Sequence, residues 1–324
     1  MLKDDFNRTA TYLRIGVTDR CNLRCRYCMP EEGIDFSKRK DLMSYEEIIK
    51  LSKIFRDLGI QKVRITGGEP FVRKDMMHLI TELHSIFPTL HITTNATLLQ
   101  HYLEELKSLK IGGLNISLDT LDRNKFHLIT RRDTFNRVID NIYKSVEANI
   151  PTKINMVVMK GVNDQEIPDF IRLGKKLNVE VRFIEAMPFN QLDGNKSVFM
   201  SHPEILQLIK EKFEEVSKMN DTSISSSLKY IVDNETVVGI IPAYTRSLCS
   251  SCNRIRLTPK GELLNCLYSE KGLNLLELIR SKALNDSQLK GHIKNAVAGK
   301  LSSGWEEEEK RDDTIFNSMT TIGG

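Results

Sequence analysis

The sequence predicts an α/β chain: an incomplete (β/α)6, TIM-like barrel followed by an antiparallel α+β module. Three observations carry this. Short β-branched runs alternate with helix-period segments through the first two-thirds, the pattern turns to hairpins near residue 217, and the cysteines gather in two groups, one in each part. Strand–helix alternation of this kind builds a parallel sheet with right-handed crossovers. Six such units point to an open barrel. A doubly wound sheet has the same periodicity, which by itself does not separate the two.

Strands are expected at residues 13–17, 62–66, 91–94, 115–118, 153–158 and 180–185. The helix-period segments between them cover 44–58, 75–87, 98–109, 133–149 and 164–177. The first is the best marked. Ser44 and Glu47 have capping-box spacing, Ile48, Leu51, Ile54, Phe55 and Leu58 share one face, and Gly59 supplies a stop. A further helix at 201–216 opens on a second such pair, Ser201 and Glu204. Segments 228–232 and 237–241 then flank an Asp-Asn-Glu-Thr turn, and 254–258 and 262–267 flank Pro259-Lys260-Gly261. Both are hairpin signals. Helical runs return at 274–281 and 286–300. The glutamates at 306–309 and the final Ile322-Gly323-Gly324 read as a flexible terminus. The expected division is 1–216 and 217–324.

An apolar share of 40% and a charged share of 28% over 324 residues are ordinary for a folded chain with a sizeable core. No unbroken apolar stretch approaches the roughly 18 residues of a membrane span. The first twelve residues carry Lys3, Asp4, Asp5 and Arg8 and have no apolar h-region, so no secretory signal is expected and the location is read as cytoplasmic. A net charge of +4 gives no case for a nucleic-acid partner, yet leaves room for a local basic pocket that takes a small anion.

The cysteines are more specific. Cys21, Cys25 and Cys28 have the spacing Cys-x3-Cys-x2-Cys directly after the first strand. Three thiolates on one short loop can hold three corners of a cubane iron–sulfur cluster, which normally takes four cysteines. One iron is then open to an outside ligand. The amino and carboxylate groups of S-adenosylmethionine can chelate it, and an electron from the cluster can break the sulfur–carbon bond. Zinc usually takes four protein ligands, and no histidine stands near this loop. Cys249, Cys252 and Cys266 form a second triad, Cys-x2-Cys-x13-Cys, with a hairpin that could return Cys266 to the pair. A Cys-x2-Cys knuckle on a hairpin also suits a zinc ribbon, so that alternative stays open here. Arg254 and Arg256 lie on one face of the adjoining strand, where they could grip phosphate or a purine edge, or simply charge a sheet edge.

The first loop resembles the radical S-adenosylmethionine superfamily, which has this cysteine spacing with an aromatic residue, here Tyr27, before the last cysteine. The resemblance continues in Gly67-Gly68-Glu69-Pro70. In the superfamily this segment meets the methionyl amino group: glycines admit a close ligand, and a carboxylate suits an ammonium. Thr18-Asp19-Arg20, Tyr27-Cys28-Met29-Pro30, Thr93-Thr94-Asn95, Asn115-Ile-Ser-Leu-Asp119, Arg182-Phe-Ile-Glu185, both triads and Gly323-Gly324 occur in order. Together they make the chain similar, over nearly its whole length, to the GTP 3′,8-cyclase family, which opens molybdenum cofactor biosynthesis.

That resemblance implies two 4Fe–4S clusters, one on Cys21, Cys25 and Cys28 and an auxiliary one on Cys249, Cys252 and Cys266. It implies contacts to S-adenosylmethionine from Tyr27, Gly68, Glu69, Ser117 and Met187. Contacts to GTP are implied for Arg14, Arg64, Thr93, Lys153, Arg254, Ile255 and Arg256, with Lys62 and Arg182 as further candidates. Gly323 and Gly324 would reach into the active site. The implied activity is that of a lyase: a 5′-deoxyadenosyl radical takes the ribose 3′ hydrogen of GTP, and the sugar radical closes on guanine C8. An external one-electron reductant and a downstream pterin-forming enzyme are the implied partners, a homodimer is allowed, and no nucleic acid or membrane is expected. Two departures are visible: Ala96 stands where the family usually has glycine, and the leader before Leu13 differs from the commonest pattern. A radical enzyme acting on a peptide would keep the first loop and Gly-Gly-Glu but need neither the basic set nor the terminal glycines. A zinc or iron–sulfur protein without catalysis is the rival of another class.

Overall fold

The computed structural model describes residues 1–187, 198–219, 226–311 and 318–322. A small antiparallel pair, β1 (Leu2–Lys3) and β2 (Thr9–Ala10), opens the chain. Six strands follow: β3 (Tyr12–Gly16), β4 (Lys62–Thr66), β5 (Leu90–Thr94), β6 (Gly113–Ser117), β7 (Thr152–Val158) and β8 (Glu180–Glu185). They lie side by side in chain order and every neighbouring pair is parallel. The helices between them are α1 (Tyr45–Asp57), α2 (Met76–Ile86), α3 (Leu103–Leu109), α4 (Arg123–Thr130), α5 (Phe135–Glu147) and α6 (Ile167–Leu177).

Both expected capping boxes form. In α1, Glu47 N–H donates to Ser44 Oγ at 3.2 Å and the Glu47 carboxylate accepts from Ser44 N–H at 2.7 Å. The helix buries Ile48, Leu51, Ile54 and Phe55, each contributing roughly 1.5–3 kcal/mol when fully withdrawn from water. In α7 (His202–Lys212), Ser201 N–H donates to Glu204 at 2.8 Å.

The remaining strands are β9 (Val216–Lys218), β10 (Leu228–Val232), β11 (Thr236–Ile241), β12 (Arg254–Leu257), β13 (Glu262–Leu264) and β14 (Leu273–Asn274). The two expected hairpins are β10–β11 and β12–β13. They do not make a sheet of their own. β11 pairs parallel with β8, and β12 pairs parallel with β3. The parallel run is therefore eight strands long, β12-β3-β4-β5-β6-β7-β8-β11, with antiparallel strands beyond each end. Each edge of the six-strand run exposes unpaired N–H and C=O groups, and a C-terminal strand satisfies each of them.

Other expectations shift for local reasons. The helix expected to run to 216 ends at Lys212, and Val216–Lys218 pair with β10, while α3 begins only at Leu103 after a tight turn at Leu99–His101. The unforeseen α4 is capped by Asp122, which accepts from Lys125 N–H. α8 (Leu275–Ser281) and α9 (Asp286–Ala298) match the expected runs. The glutamate run is not a free tail: Ser303 caps α10 (Gly304–Glu309), and its side chains are tied into the fold.

Candidate active site

Side chains from β3 to β8, β11 and β12 all line one cavity of about 330 Å³, so the sheet curves around it. All six cysteines line the same space, and none forms a disulfide. Two groups distant in sequence thus share one chamber.

The first triad is held by its own loop and its neighbours. Cys28 and Met29 N–H both donate to Cys25 C=O at 2.9 Å, closing a tight turn. The end of α4 braces the outside, where Arg24 and Arg26 N–H donate to Thr130 and Ile129 C=O at 2.9 Å. Arg131 reaches the carbonyls of Arg24 and Met29. Asn95 donates to Asn22 Oδ1 at 2.9 Å and to Cys21 Sγ at 3.6 Å. Burial, with Glu69 nearby, pushes the Cys21 thiol up to about 12, and burial with Asp119 pushes Cys25 well up. Cys28 is raised by burial, although Ser318, Thr320 and Met319 donate towards it. Ser318 also donates to Cys28 C=O at 2.8 Å, so the C-terminal residues lie against this loop.

Gly67 and Gly68 line the cavity, and their turn has a second physical reason for glycine. Gly68 N–H donates to Thr18 C=O at 2.7 Å and Glu69 N–H to Arg20 C=O at 2.8 Å, stitching the turn to the start of the cysteine loop. A Cβ at Gly67, whose φ is +144°, would lie 2.4 Å from Thr18 O, and one at Gly68 would lie 2.2 Å from Arg20 O. The glycines are needed for backbone-on-backbone packing. Glu69 is 1% exposed and does not line the cavity among the described residues. Its carboxylate accepts from Asn95 N–H at 2.7 Å, Thr94 Oγ1 at 2.8 Å and Phe71 N–H at 3.1 Å. Burial still raises it to about 7. Here it orders the Thr94–Asn95 segment that holds Cys21.

Remote segments assemble the second triad. Glu185, fully buried at the end of β8, accepts from Tyr244 N–H and Thr245 N–H and Oγ1, all at 2.8 Å, fixing the approach to Cys249. Cys249 N–H donates to Arg246 C=O at 3.2 Å. The Arg246 guanidinium lies 3.6 Å from the Tyr268 ring centre and 3.8 Å from that of Trp305, and pairs with Glu308 at 2.5 Å. It thereby joins the Cys249 loop, the Cys266 loop and α10. Burial raises Cys266. For Cys252 burial also acts upward, but Arg254 and Lys300 outweigh it and bring the thiol down to about 6.

Between the triads the lining is basic. Arg14, Arg64, Arg182, Arg246, Arg254 and Arg256 face the cavity, against two carboxylates, Asp119 and Glu185. Burial and mutual repulsion lower Arg14 and hold Arg256 well below its ordinary value, and burial brings Arg64 to about 10. Tyr12, beneath Arg64 and Arg14, is raised by burial, yet Arg64, Arg14, Lys62 and Arg254 together bring it down to about 8. Among the described residues, Arg64 Nε and Asn155 Oδ1 are buried without a hydrogen-bond partner. Such a site suits a polyanion carrying its own donors and acceptors.

Of the expected ligand contacts, Tyr27, Gly68, Ser117, Met187, Arg14, Arg64, Thr93, Arg254 and Arg256 line the cavity, as does Arg182. Tyr27 donates to Asp119 at 2.8 Å. Glu69, Lys62, Lys153 and Ile255 are not in the lining. Lys153 pairs with Glu180, and Lys62 lies over the Tyr12 ring at 5.3 Å. Ile255 is fully buried in the hydrophobic core, because strand alternation turns it away from Arg254 and Arg256. Gly323 and Gly324 lie outside the described residues; Met319 and Thr320 do line the cavity. Asp119, Arg246, Arg8, Lys300 and Ser318 are structural partners of the site that sequence reasoning gave no role. Only Asp119, at the end of the Asn115–Asp119 motif, carried a signal.

Among the described residues no three His, Cys, Asp or Glu side chains draw together closely enough to hold one metal ion. Each triad offers three thiols on the cavity wall with no disulfide among them, a donor set that suits three corners of a cubane cluster.

Residues 15–174 match the family model described as Radical SAM superfamily, and residues 179–304 match that described as Molybdenum Cofactor Synthesis C. Fold and cysteine loop thus define a radical S-adenosylmethionine protein. The fold is shared with Streptococcus suis SuiB bound to S-adenosylmethionine, at a TM-score of 0.63 and 16% identity, over 90% of this chain and 68% of that one. The GTP 3′,8-cyclase of Thermodesulfovibrio yellowstonii is 39% identical across 100% of both chains, and that of Syntrophomonas wolfei 39% identical across 99% of each. The chain belongs to the GTP 3′,8-cyclase family. Molybdenum cofactor biosynthesis protein 1 of Dictyostelium discoideum is 43% identical over 94% of this chain, which spans only 49% of that relative's length.

Proposed function

We propose that the chain is a radical S-adenosylmethionine lyase that converts GTP to (8S)-3′,8-cyclo-7,8-dihydroguanosine 5′-triphosphate, the first step of molybdopterin biosynthesis. One observation carries this: two cysteine triads and six arginines line a single cavity. In this reading β3–β8 are the six units of an incomplete barrel, and residues 217–324 add the module that carries the second triad. The location is cytoplasmic; among the described residues, no helix is long and apolar enough to cross a membrane.

Cys21, Cys25 and Cys28 would hold one 4Fe–4S cluster and Cys249, Cys252 and Cys266 another. When bound, the clusters supply the electron that cleaves S-adenosylmethionine and an open iron for the purine. The chain's own residues do the rest. Tyr27 and Gly68 adjoin the first triad's loop and, with Ser117 and Met187 in the same cavity lining, would position S-adenosylmethionine. Arg14, Arg64, Arg254 and Arg256, with Thr93, would bind the triphosphate and nucleoside, the bound charge relieving the repulsion among them. Lys153 and Ile255 serve as framework. Leu23, Val157, Ile184 and Leu248 give the cavity apolar wall, which excludes water from a radical and holds ribose and base in contact. Ser318, Met319 and Thr320 lie against Cys28, and in this reading Gly323 and Gly324, outside the described residues, belong to the same site. An external reductant must supply electrons, and a pterin-forming enzyme must consume the product.

The test is to incubate reduced, reconstituted protein with S-adenosylmethionine and each nucleoside triphosphate in turn. A cyclised product and 5′-deoxyadenosine are expected with GTP alone. Equal turnover with every triphosphate, or with none, contradicts the assignment.

A further inference from the structure

Lys300, two residues past α9, is 5% exposed and is not among the residues that line the cavity. Its Nζ lies 2.8 Å from Arg254 C=O, 3.1 Å from Cys252 C=O and 3.5 Å from Cys252 Sγ. Its three N–H donors therefore have three acceptors, all on the short segment that carries the middle cysteine of the second triad. A buried ammonium is costly unless an anion accompanies it. Among the described residues Lys300 makes no ion pair with a carboxylate, which leaves the Cys252 sulfur, as thiolate or metal thiolate, as its counter-charge. Arg8 locks the arrangement from the other side. Its guanidinium is paired with Asp4 at 2.6 Å and donates to Cys249 C=O at 3.0 Å, Ser302 C=O at 2.8 Å and Leu301 C=O at 2.5 Å. The N-terminal hairpin, the strand of chain after α9 and the cysteine loop are thus fastened together behind the triad.

We infer that Lys300 is a positioning residue for the second cluster: it fixes Cys252 and, through its N–H···S contact, makes that cluster easier to reduce. The inference rests on the reading that Cys249, Cys252 and Cys266 hold a cluster. A hydrogen bond and a positive charge at a ligand sulfur stabilise the more negative, reduced state, and so raise the potential. Arg254 also stands near Cys252, but it faces the cavity and is available to substrate. Lys300 approaches from behind and serves the ligand alone.

The experiment uses the full chain as wild type, Lys300→Met, Lys300→Gln and Lys300→Arg, each reconstituted anaerobically. It measures iron per chain and the midpoint of each cluster by EPR-monitored redox titration, with the first cluster as internal control. Lys300→Met and Lys300→Gln are expected either to lower the second midpoint alone or to lose the second cluster's iron alone, with Lys300→Arg closer to wild type. An unchanged second midpoint at full iron in both neutral variants overturns the inference. So does loss of both clusters together with a collapsed melting transition in every variant, since that marks a general folding role. A wild-type chain holding only about four irons removes the two-cluster reading itself, and this inference with it.

Discussion

The two triads face one cavity from opposite electrostatic surroundings. The first sits among buried carboxylates and neutral donors, and its thiols are pushed up: Cys21 to about 12 by burial and Glu69, Cys25 by burial and Asp119. The second is ringed by cations, and Cys252 falls to about 6 although burial alone acts upward. The first is closed by a turn of eight residues, Cys21 to Cys28. The second needs Glu185, Arg246, Arg8 and Lys300, drawn from distant parts of the chain. The difference teaches that one triad is shaped locally while the other is built into the basic wall, which is the division of labour the proposed function requires.

The largest effect expected from breaking that division is in cysteine variants. Cys25→Ala with Cys28→Ala should abolish 5′-deoxyadenosine formation while leaving the second cluster's iron in place. Cys252→Ala with Cys266→Ala should abolish cyclised product yet leave slow cleavage of S-adenosylmethionine. Product analysis beside iron content checks both, and identical losses in the two variants erase the distinction.

Next in size is Arg246→Met, which removes a buried cation from between two rings and leaves the 39%-exposed Glu308 to water. A loss of about 2 kcal/mol in urea unfolding is expected, with the second cluster released before the first.

Acidic surroundings of the first triad predict a pH effect in the metal-free chain. Burial raises Glu69 to about 7 from 4.5, and Asp119 to about 6 from 3.8. The folded state then binds these protons more tightly than the unfolded one. Their stabilising contribution is complete below about pH 4 and is lost as pH rises to about 7, on the order of 1–3 kcal/mol for Glu69. Glu69→Gln should flatten that part of the curve in melts taken across the window; an unaltered slope contradicts the assignment.

The smallest expected effect is at Ala96, where φ is +61° and the residue is fully buried. A left-handed backbone suits glycine, so Ala96→Gly should add about 1 kcal/mol, read from denaturant midpoints.

The same contrast marks what the sequence could show. Strands β3 to β8, both capping boxes and the first triad depend on neighbours within a few residues, and period and spacing reveal them. The docking of β11 on β8 and of β12 on β3 is long-range pairing that no local pattern encodes. Arg8 and Lys300 look like ordinary surface cations until the fold buries them. Glu69 read as a ligand carboxylate because its position in the motif is local, whereas its three donors come together only in the folded turn. Ile255 shares its segment with the flanking arginines, but strand alternation alone turns it inward.

The central claim, two clusters with separate duties in one chamber, is tested most directly by EPR of the two double-cysteine variants titrated with each ligand. S-adenosylmethionine is expected to perturb only the signal of the protein retaining Cys21, Cys25 and Cys28, and GTP only the signal of the protein retaining Cys249, Cys252 and Cys266. A single signal that responds to both ligands, or a second triad that holds zinc and gives no signal, would contradict it.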